Sequence, residues 1–161
     1  MKMFTIMKWF RFESAHRLRL HKGACQNIHG HSYKLEVELA LENGTLQQVG
    51  PETDMVSDFG TIKKAIVGII NDGVFKGKMT VPFDHSIMLH KRDPLFKVLT
   101  EQNLYLRIIG MTSEPTAEHM ASLFAGMFQE QLDYDKTPVQ VICVRVWETE
   151  NNMAEYRVPA E

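Results

Sequence analysis

Two stretches of the chain alternate apolar and polar residues with the period of a half-buried strand. Over residues 3–15, Phe4, Ile6, Phe10 and Phe12 share one parity, interrupted by Lys8, and that parity runs on to Ser14 and His16. Over residues 31–42, Tyr33, Leu35, Val37, Leu39 and Leu41 face one way and Lys34, Glu36, Glu38 and Glu42 the other, with Asn43-Gly44 marking a turn. A third apolar run, Val139 to Trp147, is apolar on both parities apart from Gln140 and Arg145, which predicts a strand that is central or covered on both faces. Asn151-Asn152 turns the chain, and residues 153–158 return as a last strand.

Two helices follow from a different period. Ser57-Asp58 offers an N-cap to Ile62, Ala65, Ile66, Ile69 and Ile70, with Gly73 as the stop. Ser113-Glu114-Pro115-Thr116 opens a second helix, whose stripe of Ala117, Met120, Phe124, Met127 and Phe128 reads as core packing. The middle is less regular. Residues 74–82 read as irregular, 87–89 as a short apolar run, 90–103 as a short helix or loop, and 104–109 as a candidate strand. The order of two strands, helix, variable middle, helix and two strands predicts an α+β fold: a four-stranded antiparallel sheet with two helices on one face. Such a sheet leaves open edges, for which symmetric self-assembly is the simplest remedy.

Composition narrows the function. The 161 residues suit a single domain spanning 1–161, and 44% apolar with 24% charged residues is a soluble balance. A net charge of −2 without a basic block disfavours a nucleic-acid partner, and no apolar run is long enough for a membrane span. The alternating charges and aromatics of MKMFTIMKWFRFES read as a strand rather than a secretory signal, so a cytoplasmic location with reduced thiols is expected.

The chemistry gathers in residues 12–31, which hold four of the seven histidines and one of the two cysteines. His29 and His31 flank Gly30 and point the same way if the segment is a strand, and His16 can add a third nitrogen if its strand lies alongside. Three imidazoles leave a divalent ion such as zinc an open position for water or substrate. Glu13 is one possible orienter of a ligand ring. Cys25 is either a fourth, structural ligand, which would make a non-enzymatic zinc-stabilised module, or a thiol of lowered pKa acting as base or nucleophile. Asp84-His85 has the composition of a proton-shuttling pair. Glu148 ends a mostly apolar strand beside Trp147, where it either caps the sheet or reads a ligand's donors; Glu118 suits a helix N-terminus. His21, His90 and His119 read as exposed or partly packed, and Cys143 as a small buried apolar group.

Six pieces together carry a resemblance: FESAHRL at 12–18, CQNIHGHSY at 25–33, DMVSDFGTIKK at 54–64, FDHSIML at 83–89, PTAEHMA at 115–121 and VRVWET at 144–149. In this order they resemble the 6-pyruvoyl-tetrahydropterin synthase family, and more closely its bacterial 6-carboxy-tetrahydropterin synthase branch, which serves queuosine biosynthesis. The resemblance implies a tunnelling fold whose trimers close a barrel and pair into hexamers. It implies His16, His29 and His31 as zinc ligands and Cys25, Asp84 and His85 as a proton relay. Glu148 would anchor a pterin ring, and Glu118 with Thr116 would form a second pterin contact. The implied substrate is 7,8-dihydroneopterin triphosphate, converted to 6-carboxytetrahydropterin with loss of acetaldehyde and triphosphate, with Lys22, Arg17 and Arg19 as candidate phosphate-binding residues. The three residues between Cys25 and His29 match the carboxy branch, while the tail ETENNMAEYR also resembles the pyruvoyl branch, whose reaction keeps the side chain. The middle, about 74–112, is longer than in compact family members.

Overall fold

The computed structural model describes residues 3–102 and 105–159. Strand β1 (Ile6–His16) pairs antiparallel with β2 (His29–Leu41), and the alternation seen in the sequence becomes two faces. Phe12, Ser14, Tyr33, Leu35, Val37 and Leu39 are buried on the inner face, while Met7, Trp9 and Arg11 look outward. Helix α1 (Phe59–Val67) starts at Asp58, whose carboxylate accepts from the Gly60 and Thr61 N–H groups. It continues through a wider turn, Gly68–Asp72, to Gly73, which takes the left-handed conformation at φ 63°. A side chain at that position would collide with the Thr80 carbonyl.

The expected irregular stretch holds a small hairpin, β3 (Val74–Phe75) with β4 (Lys78–Met79). Then come β5 (Ser86–His90), α2 (Pro94–Glu101) and β6 (Ile108–Met111). The expected strand at 104–109 thus lies a few residues later, and position 104 falls outside the described residues. Helix α3 (Ala117–Tyr134) is capped by Thr116, and β7 (Val139–Thr149) pairs with β8 (Asn152–Arg157).

The main sheet has six strands in the order β6–β5–β1–β2–β7–β8. Its antiparallel part, β1, β2, β7 and β8, is the four-stranded sheet expected from the sequence. The correction is at the other edge, where β5 and β6 add two parallel strands, and in the third helix, α2, which lies against them. The candidate strand at 104–109 overlaps β6, but its parallel place in the sheet and β5 as a strand were illegible: both are short, and β5 is buried along most of its length, so no alternation marks it.

Strand β7 is central, hydrogen-bonded to β2 on one side and to β8 on the other, which is one of the two arrangements its sequence predicts. Its apolar residues fall on both parities because of a bulge. The register steps from Glu38 opposite Cys143 to Leu39 opposite Val141, leaving Ile142 extra. Val139 and Val141 face the core before the bulge, and Val144 and Val146 after it, while Arg145 stays outside with Glu38 and Glu155.

Helices α1 and α3 cover the inner face. Phe124 of α3 is fully buried at the centre, with its ring against Phe12, Phe83 and Phe128. No helix among the described residues is long and apolar enough to cross a membrane. Replacing Phe124 by Ala should destabilise the fold by about 3–5 kcal/mol, the cost of a large ring removed from a packed core. Denaturant midpoints check this; an effect below about 1 kcal/mol would mean that Phe124 is not the keystone of this core.

Candidate metal centre and active site

The β1–β2 register places His16 directly opposite His29, and Ser14 opposite His31, so all three histidines share the inner face. Their ligand atoms lie within 4.8 Å of one another, and Cys25 does not belong to the group. Gly30 fits between the two ligands' backbones because a side chain there would stand 3.2 Å from the Ser14 carbonyl.

The second ring nitrogens decide what this cluster can hold. His16 Nδ1 lies 2.7 Å from the Pro115 carbonyl, and His29 Nδ1 lies 2.8 Å from the Asn27 carbonyl. A carbonyl oxygen only accepts, so each Nδ1 donates a proton and each Nε2 presents a lone pair. Those two Nε2 atoms are 3.1 Å apart. His31 Nε2 is buried with no hydrogen-bond partner among the described residues. Lone pairs so close need a cation or a proton between them. Burial opposes the proton: it lowers the pKa of His16 to about 4, against a smaller upward effect of the Pro115 hydrogen bond, with His29 and His31 lowering it further. The donor set therefore fits one metal ion. The Pro115 carbonyl, not Glu13, orients His16; Glu13 faces the other way and accepts from the Ser32 hydroxyl at 2.6 Å.

Beneath the histidines lies Tyr33, fully buried, stacked on Phe12 and edge-on to His16 and His31. Burial pushes its phenol pKa up, and the Glu148 carboxylate adds to the shift. Glu148 is the extra residue of a second bulge in β7, where Trp147 pairs with Met153 and Thr149 with Asn152. One of its oxygens comes within 3.9 Å of His16 Nε2.

Asp84 and His85 stand beside β1. One Asp84 oxygen accepts from the Glu13 N–H at 2.9 Å and the other holds His85 Nδ1 at 2.7 Å, which leaves His85 Nε2 for proton exchange. His85 has φ 57°, an uncommon conformation for a non-glycine residue, held by its own N–H donating to the Glu13 carbonyl.

Cavities join these groups. One of about 410 Å³ is lined by His31, His85, Glu13 and Ser32, and one of about 620 Å³ by His31, Lys34, Trp147 and Glu148. A third, of about 280 Å³, holds Glu148, Glu118, Thr116 and Leu18. Cys25 lies on a short turn, Ala24–Gln26, on the loop between His16 and His29, and is unpaired, as is the buried Cys143.

Over residues 5–159 the chain matches the family model described as 6-pyruvoyl tetrahydropterin synthase. The chain belongs to that family. It is 33% identical over 158 residues to the 6-carboxy-5,6,7,8-tetrahydropterin synthase of Haemophilus influenzae, covering 96% of this chain and 99% of that one. It is also 33% identical over 174 residues to the protein of the same name from Aquifex aeolicus, covering 96% and 98%. Among solved structures, a Wolinella succinogenes protein superposes with a TM-score of 0.74 at 22% identity, covering 96% of this chain and 97% of that one. The Caenorhabditis elegans 6-pyruvoyl tetrahydropterin synthase does so at 0.63 and 23% identity, covering 99% of each. These two share the fold.

Two groups at the site were missed in the sequence, one of them without any signal there. The Pro115 carbonyl lies 99 residues from His16 along the chain. Tyr33 shares the parity of His29 and His31, which is the signal that could have found it. Two expectations change. Arg17 and Arg19 are not open cations, since they are paired with Asp93 at 2.8 Å and Glu114 at 2.7 Å. His90 is buried, not exposed, and accepts from the Arg92 N–H.

The depressed His16 pKa sets a pH dependence for the metal-free protein. Its unfolded state binds the proton more readily, so stability should be full above about 6.5 and fall as pH drops toward about 4. Urea unfolding of the chelator-treated protein at stepped pH measures this. A His16→Gln variant should lose the part of the slope that His16 contributes, and an unaltered slope would remove His16 as its source.

Proposed function

We propose that this family member is a zinc-dependent lyase that converts 7,8-dihydroneopterin triphosphate to 6-carboxy-5,6,7,8-tetrahydropterin, releasing acetaldehyde and triphosphate, as a step of queuosine biosynthesis. Two relatives at 33% identity that carry the 6-carboxy name support the choice of product. The observation that carries the reading is the double position of His31. It belongs to the metal-binding cluster and is a wall of two cavities, one containing His85 and the other Glu148. A substrate whose ring sits by Glu148 can thus lay its side chain across the histidines toward a proton-transfer group.

Each side chain then has a role. His16, His29 and His31 hold zinc, and the 3.1 Å between two of their nitrogens is close to the edge of about 3.3 Å expected for tetrahedral zinc with bonds of about 2.0–2.1 Å. Zinc bound there supplies a Lewis acid that makes the side-chain hydroxyl and adjacent C–H protons of the substrate more acidic. Glu148 accepts from the amino and ring N–H groups of the pterin, and Thr116 with Glu118 forms the far wall. Cys25 as thiolate takes a proton, and His85, held by Asp84, returns one through Nε2.

We further propose a homohexamer of two barrel-closing trimers. Among the described residues, 6–13 of β1 pair only with β2, because β5 joins at Ser14–His16, and β8 is the opposite edge. Exposed Phe4, Met7 and Trp9 on that flank support its burial in an assembly. The unpaired thiols of Cys25 and Cys143 support a reducing, cytoplasmic location.

Incubation of the zinc-loaded protein with dihydroneopterin triphosphate, with mass analysis, tests the function. Acetaldehyde with triphosphate is expected; triphosphate without acetaldehyde would assign the pyruvoyl product instead. Cys25→Ala should keep zinc and lose turnover, whereas loss of zinc would turn the site into a structural module. His85→Ala should keep zinc and slow the reaction about 10²-fold or more, and an unchanged rate would remove His85 from proton transfer.

A further inference from the structure

The segment that leaves the metal site is held at three successive residues, Arg17, Leu18 and Arg19. After His16, Arg17 places its Nε 2.8 Å from an Asp93 carboxylate oxygen, and the Asp93 side chain is fully buried. The other Asp93 oxygen accepts from the Leu95 N–H at 2.9 Å and so caps α2. Arg19 is held twice by Glu114, through its Nε at 2.7 Å and its backbone N–H at 3.1 Å. Between the two arginines, the Leu18 N–H donates to the Cys25 carbonyl at 2.8 Å. Leu18 lines the cavity that also contains Glu148.

Asp93 and Glu114 stand at the two ends of the segment carrying α2 and β6, the part of the chain that adds to the four-stranded sheet. Each guanidinium is already neutralised by a carboxylate, so neither pair offers an incoming polyphosphate a net positive charge. The residues therefore suit holding the loop rather than gripping an anion.

We propose that Arg17 and Arg19 are positioning residues: clamped by Asp93 and Glu114, they fix Leu18 and, through its N–H, the backbone of Cys25, so that the α2–β6 segment buttresses the thiol-bearing loop. This rests on the reading of Cys25 as the proton-transferring thiol. Displacing such a group by about 1 Å can cost about 10²-fold in rate while leaving binding largely intact.

The test uses the full-length, zinc-loaded protein and the variants Arg17→Met, Arg19→Met, Glu114→Gln and Arg19→Lys. Zinc content should stay at the wild-type level. The rate and pH profile of Cys25 alkylation by iodoacetamide should change severalfold in the Met variants, with buried Cys143 as internal reference. In steady state, kcat should fall about tenfold or more with KM little changed, Arg19→Lys should recover most of the loss, and inhibition by inorganic tripolyphosphate should stay as in wild type. A raised KM with unchanged kcat and weakened tripolyphosphate inhibition would overturn the proposal and make the arginines anion binders. Unchanged alkylation would overturn it as well, and that readout holds even if dihydroneopterin triphosphate proves not to be the substrate. If Arg17→Met fails to fold because Asp93 is left buried and unpaired, the Arg19–Glu114 pair, whose carboxylate keeps some contact with solvent, decides the question alone.

Discussion

Everything at the candidate site depends on the register in which β1 meets β2. The pairing of His16 with His29 and of Ser14 with His31 is one choice among several for two long antiparallel strands. A slip by one residue would send one strand's histidines to the outer face. The choice is enforced below the site by the stacked rings of Phe12 and Tyr33 and by Leu35, Val37 and Leu39, all buried against α1 and α3. Beside it, the Ser14 hydroxyl bonds to Ser86 of β5. The hydrophobic core and the metal site are thus one structure read at two heights along the same strands.

The electrostatics of the site follow from burial. His16 is 2% exposed, with its charged form disfavoured, and its Nδ1 proton is committed to Pro115. Glu148 is close, and Tyr33 beneath is held in its protonated form. The result is an excess of lone pairs and negative charge facing a small volume, which a divalent cation compensates. Asp84 plays another part: both its oxygens are spent, one on the β1 backbone and one on His85, so it orients rather than ligates.

The two bulges of β7 serve different ends. The one at Ile142 changes which parity meets the core, and the one at Glu148 ends the regular ladder where the strand reaches the site. An extra residue in a strand costs a ladder pairing and re-aims its neighbours, which is why bulges collect beside functional groups.

The sequence by itself determined the four antiparallel strands, the helix that starts at Asp58, the existence of the later helix though not its Thr116 cap, and the grouping of His16, His29 and His31. Period and capping are local, so they can be read from neighbours along the chain. Alternation even carried the histidines into the core face, because they share the parity of the apolar residues after them. Tertiary structure alone decided the rest. The short β5 shows no period, the parallel pairing of β5 and β6 is not written in their residues, and the bulge in β7 reads in sequence no differently from a strand covered on both faces. The orienting carbonyl of Pro115 and the pairing of Arg17 and Arg19 with Asp93 and Glu114 join residues distant along the chain. A backbone carbonyl carries no residue identity, and an arginine reads the same whether it awaits an anion or already holds one; only the folded chain says which.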